Sequence, residues 1–553
     1  MKNILIVLSV LFATVFTACD PENVIINLKK NNDTLDAVWD TTKVATITLN
    51  NTSITSTKKS VIIKGATATI TKPGNYKISG KLTDGQIIVK TLEEGRVRLI
   101  LNNVNISNST TSPIFIANAE RTIIVLPKGT ENSFTDGNNY TVTADSLNAP
   151  IFSKDDLVIF GEGVLNVTGN YKGGISSRDE LDILSGIINV KAVTTGIRGK
   201  DNLRIETGTF NISCGGDALK SDNDSLETKG FINIKNGTFK LNSANGDGIT
   251  ASKVTTIEGG NFDITTGGGS EVELDSLGPS TKGIKGTQGV KIMGGTFLIN
   301  SQDNSIHSSK TAEISGGNFT IYTGNRALKA DSMLTIIDGN FDVKEAFKGI
   351  SSHRLKIKNG NISINSRNDC LKATLGEDIT ENDGSLIEIS GGTLLLSTEK
   401  GDAVDSNGNI EILGGTLVLQ GSQTIPDDAI SHRSIFIISG GNLFAVGAST
   451  LTPTSETVQN SVLIKFRSYL SPNTHICIQD ENNTPVIIFK IQKYAVYALF
   501  STSSLITGKT YSIYSGGIAT GTEKNGFYFS GTYTPGTKRG SFTVKTGHNS
   551  VNL

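Results

Sequence analysis

Cysteine is scarce and scattered in this chain. Apart from Cys19 there are only Cys214, Cys370 and Cys477, an odd number at wide spacing that excludes a disulfide framework and any Cys-x-x-Cys metal site. An excess of one charge is missing as well, because 51 basic and 52 acidic side chains leave a formal net charge of -1. That balance argues against nucleic acid, or an acidic membrane held by long-range attraction, as a partner. Aromatic residues make up 6% of the chain, and Trp39 is its one tryptophan. His307, His353 and His432 follow no metal-ligand spacing, and there is neither a Ser/His/Asp grouping nor a phosphate-cradling loop. Beyond the apolar run from Ile4 to Phe16, no stretch is long enough to span a bilayer. Helical periodicity is absent too, which leaves strands.

Glycine, by contrast, is abundant, with 60 residues, and many of them are periodic. One column runs Gly186, Gly208, Gly237, Gly260, Gly295, Gly317, Gly339, Gly360, Gly392, Gly415 and Gly441. A second, independent column of apolar residues runs Ile197, Leu219, Ile249, Ile284, Ile306, Leu328, Ile350, Leu371, Val404 and Ile430. Both columns keep a period near 22 residues and stretch in the same three places, at Asp222 to Lys229, Gly267 to Pro279 and Thr374 to Gly384. Short alternating runs repeated at this period read as coils of a parallel β-helix, each pairing with the next at about 4.8 Å. Phe210, Phe239, Phe262, Phe297, Phe319 and Phe341 share parity with the Ile or Val two places on. They therefore form a stacked column inside the bore, whose burial stabilises the solenoid. Cys214 and Cys370 fall at inward or small-residue positions and read as structural.

Residues flanking the inward column point outward, so stacking the coils makes neighbours of residues far apart in sequence. Two places before the apolar residue stand Asp217, Asp247, Asp369, Asp402 and Asp428, with Lys282, Asn304, Arg326 and Lys348 in other coils. Just after it stand Arg198, Lys220, Lys285, His307, Lys329 and Lys372. Carboxylates stacked this closely repel unless a cation compensates them, and Ca²⁺ takes roughly 6 to 8 oxygen ligands of this kind. The candidate metal groups are Asp217, Asp222 and Asp224 with Asp247, and Asp369 with Asp402 and Asp405. Lys220, Lys285, His307, Lys329 and Lys372 are the candidate substrate-binding residues, because outward amines beside Ca²⁺ suit an acidic polysaccharide. The bland alternatives are that the Asp residues cap turns and that the amines form a solvated charge ladder. The same Lys and metal pair also fits β-elimination by a polysaccharide lyase, provided a Lys is unprotonated.

The phrases Gly246-Asp247-Gly248-Ile249, Lys282-Gly283-Ile284-Lys285 and Gly401-Asp402-Ala403-Val404-Asp405-Ser406 resemble a bacterial carbohydrate-binding β-helix family once filed as a domain of unknown function. The stretch Tyr76-Lys77-Ile78-Ser79-Gly80 and Gly129-Thr130-Glu131-Asn132 resemble its opening. The resemblance covers about residues 70–517. It implies a right-handed, pectate-lyase-like parallel β-helix, Ca²⁺ sites, and binding to cellulose or pectin-like polymers. Asn304, Arg326 and Lys348 depart from the acidic residue usual at that turn in the family, so those coils are expected to hold no metal.

Residues 1–19 read as a signal peptide, and Thr17-Ala18-Cys19 resembles the lipobox of bacterial lipoproteins, which implies lipidation of Cys19 and a cell-envelope location, outer membrane or cell surface, without a spanning segment. Residues 20–45 read as a tether and cap, 46–450 as the β-helix, and 451–553 as a small C-terminal β cap or sandwich. Asp33-Thr34-Leu35, Asp145-Ser146-Leu147, Asp224-Ser225-Leu226, Asp275-Ser276-Leu277 and Asp331-Ser332-Met333 resemble an O-glycosylation sequon of one group of Gram-negative bacteria. The reading is an all-β, monomeric, surface-anchored polysaccharide-binding lipoprotein. A lyase and a glycan-free adhesin or envelope structural protein stand as the alternatives.

Overall fold

The computed structural model describes residues 40–553, except 142–145, 276 and 378. The leader, Cys19, Trp39 and most of the tether lie outside the described residues, as do Asp33, Asp145 and Ser276 of the triplets. Every helix or strand among the described residues is a strand.

Coiling starts at Val44–Asn51, which pairs in parallel with Gly74–Leu82. Two antiparallel hairpins, Val44–Asn51 with Ser53–Ser56 and Val61–Lys64 with Thr67–Ile70, make this end irregular. From there three parallel sheets climb the solenoid. The first carries the phenylalanines, in strands such as Thr209–Cys214, Thr238–Ser243 and Asn261–Thr266. The second is made of three-residue strands such as Leu219–Ser221, Ile249–Ala251 and Ile284–Gly286. The third contains Asn202–Ile205, Phe231–Ile234 and Val254–Ile257. The molecule is a parallel β-helix.

The stacked bore is present as the repeat predicts. Phe210, Phe239, Phe262, Phe297, Phe319 and Phe341 lie face over face, with centroids 4.6 to 4.8 Å apart and planes within 6°. All six are buried. The ring column explains the glycine column. Gly295 has φ +115°, and a Cβ there would stand 2.9 Å from the Gly260 carbonyl oxygen and 3.1 Å from the Phe297 ring, so the turn needs a residue without a side chain. Asparagines outside the same sheet form short ladders, as where Asn340 and Asn361 each donate 2.8 Å to the preceding coil's asparagine. Cys214 and Cys370 are buried in the core, and burial pushes each thiol up to about 12.

Chain phase does not stop at residue 450. Leu451, Thr454 and Val458 still donate backbone hydrogen bonds to Ile430, Phe436 and Ile438. Then Ser461–Leu470 and Ala495–Ser501 pair antiparallel, the latter also with the last coil strand Asn442–Gly447. A separate six-stranded sheet between His475 and Thr543 packs over them. Its core takes in Phe444 and Val418, outward residues of the last coils, with Phe489 and Phe500. The C-terminal region therefore covers the apolar outer face at that end of the solenoid.

Candidate functional site

All five sequence-predicted binding residues share one outward register column on the second sheet. Backbone pairing runs Phe115 to Phe152, Ser176, Arg198, Lys220, Thr250, Lys285, His307, Lys329, Ser351, Lys372, Asp405 and Ser431. The column is thus aromatic at one end, cationic along its middle and acidic at the other. The three insertions border this sheet. Residues 222–229 and 374–384 follow its strands Leu219–Ser221 and Leu371–Ala373, while 267–279 precede Ile284–Gly286. They make it the floor of a trough.

The acidic position two residues before the column has a backbone duty. Asp247 N–H donates 2.8 Å to Asp217 Oδ1, Lys282 N–H donates 2.8 Å to Asp247 Oδ1, and Asp402 N–H donates 2.9 Å to Asp369 Oδ1. Asn304 does the same for Arg326 N–H at 3.1 Å. Each side chain caps the equivalent residue of the next coil, satisfying a turn donor that no strand partner reaches. One carboxylate oxygen is consumed in this way, and the other is left to face the trough.

At the amino-terminal half those free oxygens meet amines. Lys220 Nζ lies 2.8 Å from Asp217 Oδ2, Lys285 Nζ 3.6 Å from Asp247 Oδ2, and the Arg198 guanidinium 2.7 Å from Asp222 Oδ1. Asp224 is exposed in its loop. The expected grouping of Asp217, Asp222, Asp224 and Asp247 around one metal is therefore not formed. Protein cations already occupy the space between them, and the inserted loop carries Asp224 outward.

The other group does converge. Asp369, Asp402 and Asp405 bring ligand oxygens within 4.8 Å of one another, the one such set among the described residues. Asp428 joins them through its N–H, which donates to Asp402 Oδ1. Burial pushes the Asp402 carboxyl up to about 8, and burial also raises Asp405 and Asp428. Asp405 is 6% exposed, and its Oδ1 has no partner; neither does Asp428 Oδ1. Two ammoniums border the set, Lys372 on Asp405 Oδ2 and Lys348 at 3.4 Å from Asp369 Oδ2. Arg433 also acts on Asp405 and Asp428, so four acids face three cations, a negative surplus of one when Asp402 is ionised. Oxygens ligating one Ca²⁺ at about 2.4 Å stand up to about 4.8 Å apart, so the hard donors and the orphaned oxygens fit that ion. Asp428 was legible as the next member of the acidic column, 26 residues after Asp402, but its sequence neighbours do not show that it meets this set.

Between the two ends, Arg326 and Lys348 replace the acids and bind Glu377 of the third insertion, with Lys348 Nζ 3.5 Å from Glu377 Oε2. Those coils fill the acidic position with cations, so no carboxylate stack forms there. His307 lies in the column but is 9% exposed, and burial, with Lys282 nearby, pushes its imidazole down to about 4. Its outward parity is right, yet neighbouring side chains cover it, which corrects its reading as an open contact.

A parallel β-helix with a charged trough along one sheet, flanked by loops, defines the class of protein. The family model for carbohydrate-binding domain-containing proteins matches residues 64–327 and 323–459, and the chain belongs to that family. A carbohydrate-binding domain-containing protein of Acetivibrio thermocellus is 39% identical over 202 residues, which is 36% of this chain and 70% of that one. A solved structure of a polysaccharide lyase-like protein from C. thermocellum, a gadolinium derivative, is 27% identical and aligns over 53% of this chain and 96% of that one, with a TM-score of 0.37.

Proposed function

We propose that this protein binds an acidic, pectin-like polysaccharide along the trough of the second sheet, with Ca²⁺ held by Asp369, Asp402 and Asp405 at its acidic end. The observation that carries this reading is the single register column of Lys220, Lys285, Lys329 and Lys372 running into Asp405. Positive charge repeating at every second coil, roughly 9.6 Å at about 4.8 Å per coil, suits a polymer with repeating carboxylates, and bound Ca²⁺ would bridge sugar carboxylates to the protein's own. Ion pairs to Asp217, Asp247, Asp331 and Asp405 keep these amines in use as cations, which favours binding over proton abstraction. Anchoring at the cell envelope through a lipidated Cys19, and a monomeric state, belong to the same proposal.

The test is retention on immobilised polygalacturonate and on cellulose, with calcium and with chelator. Calcium-enhanced retention on polygalacturonate is expected. No retention on any glycan under either condition overturns the reading in favour of an adhesin or structural role. In the same samples, rising ultraviolet absorbance from unsaturated product would convert the binding protein into a lyase, and a flat trace is expected.

A further inference from the structure

We infer that the cleft at the amino-terminal end of the second sheet is a metal-independent subsite for a carboxylated sugar. The inference deepens the proposed function and rests on its premise that the ligand is an acidic glycan. The cleft has a volume of 580 Å³, and four cations line it: Lys172, Arg178, Arg198 and Lys200. Among the described residues no carboxylate lines it. Arg198 is held by Asp222, whereas Lys172, Arg178 and Lys200 form no ion pair among the described residues. This is the reverse of the distal end, where carboxylates outnumber amines.

Aromatic rings back its cations. Tyr140 and Tyr171 stack at 4.4 Å with planes 16° apart, and the Tyr140 hydroxyl donates 2.8 Å to Asp136 Oδ2. Lys172 Nζ stands 4.9 Å from the Tyr171 ring centroid and the Arg178 guanidinium 5.5 Å from that of Phe152. Cation–π contact holds both charges over the aromatic wall. Tyr140 and Phe152 are themselves buried and back the cations, so the site suits a sugar carboxylate taken by the guanidinium fork and the neighbouring amines. Two buried polar atoms beside the cleft are unpaired. Asn148 Oδ1, in the lining, has no partner, nor has Ser176 Oγ, which lies between Phe152 and Arg198 in the outward column. Because the protein supplies the positive charge here, no metal is needed.

The cleft and the Asp405 cluster sit at opposite ends of one track. Ser176 and Asp405 are nine register steps apart, or roughly 43 Å at about 4.8 Å per coil. A short oligomer can occupy one end alone, and a polymer engages both.

The experiment is calorimetric titration of the full chain with trigalacturonate in chelator, alongside cellotriose and polygalacturonate. Wild type is expected to bind trigalacturonate without calcium and cellotriose at least tenfold more weakly. The exposed double substitution Lys172→Gln with Arg178→Gln should raise the trigalacturonate Kd at least tenfold in chelator, and Lys545→Gln, an exposed charge of the C-terminal region, should leave it unchanged. Equal affinity of the double variant, equal affinity for cellotriose, or a trimer that binds only with calcium overturns the subsite. If polygalacturonate with calcium is still retained in those cases, the wider glycan reading stands. If neither trimer nor polymer binds under any condition, both fail.

Discussion

Replacing Asp402 with asparagine separates a metal site from a structural acid cluster. Asparagine keeps an oxygen that can accept from Asp428 N–H and removes one charge from the set. Two carboxylates within 4.8 Å repel by about 3.5 kcal/mol at an effective dielectric of about 20. Lys372, Lys348 and Arg433 offset part of this, so the expected relief in chelator is about 1–3 kcal/mol of local stability. It should be read at pH 9, above the value of about 8 to which burial pushes Asp402, because protonated Asp402 already relieves the crowding in wild type. Calcium reverses the order. At a concentration one hundred times Kd it protects wild type by about 2.7 kcal/mol, and the variant forfeits most of that. The assay is hydrogen exchange of strands Leu371–Ala373 and Val404–Ser406, since a solenoid opens coil by coil and a global melting curve averages over the whole array. Wild type should exchange about 100-fold more slowly with calcium, and Asp402→Asn should exchange more slowly than wild type in chelator and gain little from calcium. Wild-type exchange that ignores calcium, or a variant that opens faster than wild type in chelator at pH 9, would refute the reasoning.

His307 predicts an acid sensitivity. Its folded imidazole is lowered to about 4, so the unfolded chain binds a proton that the folded one cannot between about 6.5 and 4, and stability falls as pH drops through that window, by about 3 kcal/mol when complete. His307→Gln should shrink the difference between urea midpoints at pH 7 and pH 4; an unchanged difference counts against it. Phe297→Ala, in the middle of the ring stack, should cost about 3–5 kcal/mol in urea unfolding. Phe529→Ala, 43% exposed, should cost under about 0.5 kcal/mol. Cys19→Ser should abolish incorporation of a labelled fatty acid and release the protein from the membrane fraction; labelling that persists in the variant removes the anchor.

The solenoid was legible because its coils repeat. Once Gly295, Phe297 and Ile306 recur one coil later as Gly317, Phe319 and Leu328, parity alone separates bore from surface, and backbone pairing between coils follows. The outward column of Lys220, Lys285, Lys329 and Lys372 needed nothing beyond that arithmetic. The non-repeating ends were less legible, since Leu451 to Val458 still track the coil after the sequence pattern has faded.

Which of the two acid groups keeps its charge unmet was a tertiary matter. Asp217 and Asp369 occupy equivalent letters of the repeat and cap equivalent donors. The second oxygen meets an amine in both, Lys220 for Asp217 and Lys348 for Asp369, and the difference is that two further carboxylates, Asp402 and Asp405, converge on Asp369. The aromatic and cationic cleft likewise needs Tyr140, Tyr171 and Arg178 brought together across turns of irregular length. Sequence periodicity sets which residues share a column, because strand pairing is local and regular. The charge balance inside a column depends on side-chain reach and burial, and only the folded chain sets those.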